Sequence, residues 1–294
     1  MSWPDLRPCD GAEPIRSLED WGQDMTLCIA ATSSDQAIIV ATDGMLSYDF
    51  VSVDTHMLKA MPGSPSRRYV MAFAGSPSAA QFINLRAFEL LGDRDETLES
   101  VSAAYAAAFR RTLHGTIEAR VLAHTGMDHA TFIREGREAL GDEEFTRLLY
   151  QAQSVRLKTD ILVAGFDPGR TRRLFIVSDP GGEAVSHEAP GFCAIGSGAI
   201  TALGSLASMH KPTMRWDEVV YRVCEAKFLA ESTMGVGKIT NVLVMTRENG
   251  RILLSKPIDQ IREEWWKVRP PIPDAALRIV KGGIEQGQTW PYHS

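Results

Sequence analysis

Strand-length apolar runs come in turn-linked pairs along this chain, and blocks of such pairs alternate with pairs of helical stretches. TLCIAA and AIIVATDG flank the polar turn TSSDQ, which reads as a β-hairpin. FVSVDTHMLKAM alternates in strand fashion, MPGSPSRR supplies turn residues, and RYVMAFAG has the continuous apolar character of a buried strand. Ser76-Pro77 then suits a helix N-cap followed by proline in the first turn, and SAAQFINLRAFELL carries apolar residues at helical spacing. A second, Ala-rich helix runs to about His124, and shorter helical stretches follow around ATFIREGREAL and EEFTRLLYQAQ. Strands return as DILVAGFD, RRLFIVSD and GFCAIGSG, then helices from Gly198 to Met209 and Trp216 to Glu231. The last strands, TNVLVMTR and RILLSK, flank Glu248-Asn249-Gly250, a strong hairpin signal because Asn and Gly accept positive φ.

Strictly alternating strands and helices would imply a parallel sheet. Hairpin-linked blocks imply antiparallel sheets with helices layered outside, an α+β fold. The division expected is an acidic leader over 1–24, one domain over 25–266 with a helical elaboration near 126–153, and a polar, Pro-containing tail over 267–294. Within the Ala-rich helix, Ala103, Ala104, Ala106, Ala107, Ala108 and Phe109 leave little polar surface over two turns. Such a helix must be covered on more than one side, by the core and by either a neighbouring subunit or the elaboration.

With 31 Lys and Arg against 37 Asp and Glu, the net charge is −6. No positive excess exists to neutralise phosphates, so neither nucleic acid nor a membrane surface is an expected partner. No uncharged apolar stretch reaches the length of a bilayer span, and the leader, with six acids and two arginines, contains no signal-peptide core. Four scattered cysteines without a CxxC pair point to a reducing cytoplasm.

MTLCIAATSSDQAIIVATDGM resembles the start of a proteasome-type subunit of the N-terminal nucleophile hydrolase superfamily, and is most similar to the bacterial branch that includes the HslV peptidase and the Anbu proteins. VAGFD, VSDPGG and AIGSGA extend the resemblance over most of the chain. It implies a four-layer αββα sandwich, self-association into a ring or other homo-oligomer, a peptide or amide substrate, and no cofactor or metal. It also implies a site. The threonine that opens the first strand corresponds to Thr26, the aspartate ending the second to Asp43 in ATDG, the lysine of the third to Lys59 in MLKAM, the oxyanion glycine to Gly75 in AFAGS, and the serine the family often carries to Ser197. The Asp43 to Lys59 interval is that of proteasome β subunits, and Thr26 to Asp43 is one residue longer.

The chemistry wants these residue types. A threonine hydroxyl needs a base, and a free α-amine on the same residue, with a pKa of about 7.7–8.0, serves at neutral pH. Lys59 would favour the alkoxide, Asp43 would fix Lys59, and the Gly75 N–H would face the oxyanion. Each residue also has a plainer reading. Asp before Gly is an everyday turn, a lysine in an alternating strand usually faces solvent, Gly75 suits a bare strand-to-helix corner, and Ser197 is expected to cap the helix that follows, a role compatible with one in the site.

The chain departs from the family where Met25 stands in place of the glycine that precedes proteasomal cleavage, which leaves a misassigned start, a propeptide or a blocking extension open. The supporting aspartate of the family has no obvious counterpart in AESTMGVGKITN, where Glu231, Ser232 or Thr233 are the substitutes at hand. GVGK lacks the outer residues of a phosphate-binding loop, and His114, His124 and His129 lack metal-ligand spacing. The resemblance implies a threonine-dependent peptidase or amidohydrolase, with Thr26 exposed after removal of residues 1–25. The alternatives are an inactive assembly subunit of the same fold and a hydrolase of a small amide.

Overall fold

The computed structural model describes residues 26–48, 51–54, 60–62, 69–92, 97–167, 169, 171–180, 182–247, 250–253 and 255–268. Five antiparallel strands form the first sheet: β1 (Leu27–Thr32), β2 (Ile38–Asp43), β10 (Phe192–Gly196), β11 (Thr240–Met245) and β12 (Gly250–Leu253), in the order β10-β1-β2-β11-β12. The second contains β5 (Ala60–Pro62), β6 (Tyr69–Gly75), β7 (Thr159–Phe166), β8 (Arg172–Val177) and β9 (Ala184–Ser186) in sequence order, also antiparallel.

Period-two alternation explains the stacking. Cys28 and Ala30 of β1 meet Val70, Ala72 and Leu162 of the other sheet in a core between the sheets, while Leu27, Ile29 and Ala31 face the opposite way. There they pack against α5 (Ala199–Met209) and α6 (Trp216–Ala230) through Leu206, Val223 and Phe228. On the far side, Met71, Phe73, Ile161 and Val163 pack against α1 (Pro77–Leu91) and α2 (Leu98–Ile117) through Ile83, Tyr105 and Phe109. The layers run helix, sheet, sheet, helix, as the pattern of strand and helix blocks implies. Because both faces of these strands are buried, they read as continuous apolar runs.

Local signals hold where the sequence is explicit. Ser76 accepts the Ala79 N–H at the start of α1 and Pro77 takes the first helical position. Ser33 and Asp35 bond each other in the β1–β2 turn. Three expectations need correcting. The alternating run over 50–61 carries strands of two different sheets: β4 (Val51–Asp54) pairs with β3 (Met45–Tyr48) in a separate two-stranded sheet, and β5 pairs with β6. Alternation fixes which face a side chain takes, not which strand is the neighbour. Ser197 does not cap α5, because the N-cap position falls on Gly198 and no side chain caps it. The third concerns α2, which lies beside α1 on the second sheet, so that Ala106, Ala108 and Phe109 are covered within the chain while Ala103 stays exposed. The elaboration, α3 (His129–Leu140) and α4 (Asp142–Ser154), instead covers the far end of that helix and the π-helical turn Glu118–Leu122, around Ile117, Leu122, Phe132 and Leu148.

Candidate active site

One end of the first sheet gathers the start of β1, the end of β2 and the end of β10. The registers dictate this: Cys28 lies opposite Thr42, and Leu27 opposite Gly196. Thr26, just before β1, is 2% exposed and Asp43 is fully buried. The Thr26 hydroxyl donates to Asp43 Oδ1 at 2.7 Å, and Asp43 Oδ2 accepts the Gly237 N–H at 3.0 Å. A buried carboxylate needs hydrogen-bond donors in place of water, and these two supply them.

Two left-handed glycines shape the neighbouring wall. Gly196 has φ of +94°, and a Cβ there would stand 2.2 Å from the Thr26 carbonyl oxygen and 3.2 Å from Ala74 Cβ. Gly75, next to Ala74, has φ of +91°, and its Cβ would meet the Lys158 carbonyl oxygen at 2.0 Å. Backbone approaches this close admit only glycine. The corner after Gly75 is held by the Ser76 N–H donating to Lys158 O at 3.0 Å, while Asp179 accepts the Lys158 N–H. Ser197 donates to the Thr26 carbonyl at 3.3 Å, which ties the end of β10 to the start of β1. Thus Thr26, Asp43 and Ser197 are joined by hydrogen bonds or shared partners, and Gly75 lies one residue from the Ala74 that packs on their wall. Lys59 lies outside the described residues.

Residues that the sequence does not single out complete the surroundings. Lys227 on α6 is fully buried and donates to Glu231 Oε1 at 2.6 Å and to the Gly237 carbonyl. Burial pulls its ammonium below the usual lysine range, opposed by the Glu231 charge beside it. Glu231 also accepts both guanidinium nitrogens of Arg262, at 2.6 and 2.8 Å, from α7 (Ser255–Lys267). Arg262 stacks over the Phe228 ring at 4.0 Å and donates to the Lys238 carbonyl at 2.9 Å. Among the candidate substitutes for the missing aspartate, Glu231 therefore sits behind Lys227, one shell away from Asp43. The only sequence trace of this cluster is the i, i+4 spacing of Lys227 and Glu231, which usually marks an exposed helix pair. The GVGK segment contributes the Gly237 N–H, and Val236 fits because Gly198 has no Cβ, which would lie 2.7 Å from it.

Other reactive groups are engaged elsewhere. Cys28 Sγ donates to Phe73 O at 3.1 Å, and burial pushes the Cys193 thiol up to about 12. Among the described residues no three His, Cys, Asp or Glu side chains gather where they could hold a metal ion, and no helix is long and apolar enough to cross a membrane.

Among solved structures, the chain superposes on an Anbu mutant from Hyphomicrobium sp. strain MC1 with a TM-score of 0.58, covering 89% of this chain and 100% of that one. The fold is that of Anbu, the proteasome-type fold. At 15% sequence identity the likeness is one of fold. No protein-family model and no curated protein matches the chain. The Anbu-like fold puts the start of β1 and the end of β2 side by side, the place where Thr26 meets Asp43.

Proposed function

We propose that the chain is a threonine-dependent amide hydrolase of the proteasome type, with Thr26 as nucleophile once residues 1–25 have been removed. The observation that carries this reading is the 2.7 Å hydrogen bond from the Thr26 hydroxyl to Asp43, at the start of the first strand of a proteasome-type fold. With Met25 attached, the Thr26 nitrogen is an amide and cannot take a proton. Release of the leader converts it to an amine able to accept the hydroxyl proton as Oγ1 attacks a carbonyl. The oxyanion that forms needs N–H donors, and the Gly75 corner supplies the candidate. Asp43 orients the hydroxyl in the resting state, Ser197 anchors the Thr26 carbonyl, and Lys59 is proposed to supply the charge that favours the alkoxide. The substrate class is a peptide or amide carbonyl compound, and the domain is proposed to run over 25–266 between the leader and the tail.

Self-association belongs to the same proposal. On α1, Phe82 is 58% exposed and Leu85 52%, an apolar ridge that a neighbouring copy would cover. The alternative is an inactive subunit of the same fold, in which the Thr26 hydroxyl serves only to satisfy the buried Asp43 carboxylate. Protein beginning Met25-Thr26, with the methionine removed, is expected to hydrolyse a peptide amide or to bind a peptide boronate. Thr26→Ala should abolish both, Lys59→Ala should lower the rate at least about tenfold, and light scattering should give a multimer well above the 32.3 kDa of the full chain. Wild-type rates in Thr26→Ala would overturn the reading, unchanged rates in Lys59→Ala would remove that residue from it, and a stable monomer would remove the assembly.

A further inference from the structure

We infer that Lys227 is a positioning residue for the Asp43 carboxylate, acting through Gly237; the inference rests on Thr26 being the nucleophile proposed above. A fully buried lysine is uncommon, because removing an ammonium from water carries a cost that only good partners offset. An apolar side chain of similar length would fill the same space on α6 without that cost, so the charge calls for a reason beyond packing. Its bonds supply one. The Gly237 residue donates its N–H to Asp43 Oδ2 and offers its carbonyl to Lys227 Nζ. Glycine has the widest backbone freedom of any residue, so a donor carried by Gly237 is well aimed only if something fixes the rest of that residue.

The fixing extends one residue further. Consecutive carbonyls, those of Gly237 and Lys238, are held by Lys227 and Arg262 respectively, and Glu231 clamps both cations. Asp43 is thereby joined to two helices through this loop, whose next residue, Ile239, accepts the Gly44 N–H at 3.1 Å. The loop is part of the wall as well, since Val236 packs against Gly198 beside Ser197. Lys227 touches neither Thr26 nor a substrate carbonyl in this arrangement. Its effect on the reaction passes through where Asp43 holds the Thr26 hydroxyl.

The test uses the full chain, allowed to reach its own N-terminus, with Lys227→Met, which keeps length and removes charge. At a temperature where circular dichroism shows the variant folded, kcat for amide hydrolysis is expected to fall at least about tenfold while KM stays within about twofold, because binding surfaces are untouched. A folded Lys227→Met protein with kcat within about twofold of wild type would overturn the inference and leave the lysine as a structural staple. If that variant does not fold, Glu231→Gln, which keeps an acceptor for Lys227 but removes the clamping charge, must show the same kcat loss; wild-type kcat there overturns it. A readout independent of activity comes from glycine-labelled protein. The Gly237 amide resonance should move on Asp43→Asn in the wild-type background and stay put on the same change in Lys227→Met or Glu231→Gln. If the wild-type chain hydrolyses nothing, the reading of Thr26 fails while this coupling still decides the role of Lys227. An equal Asp43→Asn shift in all backgrounds overturns it.

Discussion

At the scale of single residues, Gly196 and Gly75 are the tightest constraints on the site. Each combines a left-handed backbone with a carbonyl oxygen 2.2 or 2.0 Å from where a Cβ would stand. Strain of this kind costs about 1–3 kcal/mol, with the clash still to be added. Gly196→Ala is therefore expected to destabilise by more than about 2 kcal/mol, or roughly 4–8 °C in Tm for a chain of this size, and to displace Thr26. Gly204→Ala, in the open on α5 with nothing within 4 Å, should instead stabilise by about 0.5–1 kcal/mol. Thermal melts of the two variants check the pair, and equal stability would show that the approach of Gly196 to Thr26 is not as close as described. The family resemblance is what singles out Thr26, Asp43, Gly75 and Ser197, each at the end of a recognisable strand, and the structure joins Thr26 to Asp43 and to Ser197 by hydrogen bonds. Lys227 is hidden for a physical reason: a lysine four residues ahead of a glutamate on a helix is ordinarily a solvated pair, and nothing local reveals that α7 and a glycine loop close over it.

At the scale of elements, the helical elaboration contributes a pH-sensitive contact remote from the site. His114 at the end of α2 stacks on His129 at the start of α3, with ring centroids 4.2 Å apart. Partial desolvation of this largely exposed imidazole holds His114 below its ordinary value of 6.5, the proximity of His129 adds to this, Glu118 partly opposes it, and solvent screening keeps the effect on stability small. The folded state thus binds fewer protons than the unfolded chain once pH drops below 6.5. Stability should be fully present above that value, fall as the unfolded state alone takes up a proton, and level off below the folded-state pKa. Melts at about pH 7.5 and about pH 5.5 should show a smaller acid loss in His114→Gln than in wild type, and an identical loss in both would show that this contact does not set the pH response. Apolar pattern reveals which elements exist, but not how they pair. β4 turns to β3 rather than to β6, and β9 is a three-residue strand too short to carry a pattern.

For the whole molecule, the four layers follow from one arithmetic fact: strands apolar on both faces need two covers, and hairpin-linked strands with helix pairs between the blocks supply them. The count of four layers comes from the family resemblance, while antiparallel sheets with helices outside are legible in the order of apolar runs and helical stretches. Which end of the stacked sheets carries the chemistry is not, because it depends on registers that bring residues 26, 43, 196 and 237 together from four distant parts of the chain. The central claim is that this end works through Thr26 as a free N-terminal residue. Its most direct test is mass spectrometry of protein purified from its native host and treated with a peptide epoxyketone. The expected result is a chain whose first residue is Thr26 and a single adduct on that residue, whereas an active protein that still begins at Met1, with Thr26 unmodified, would contradict it.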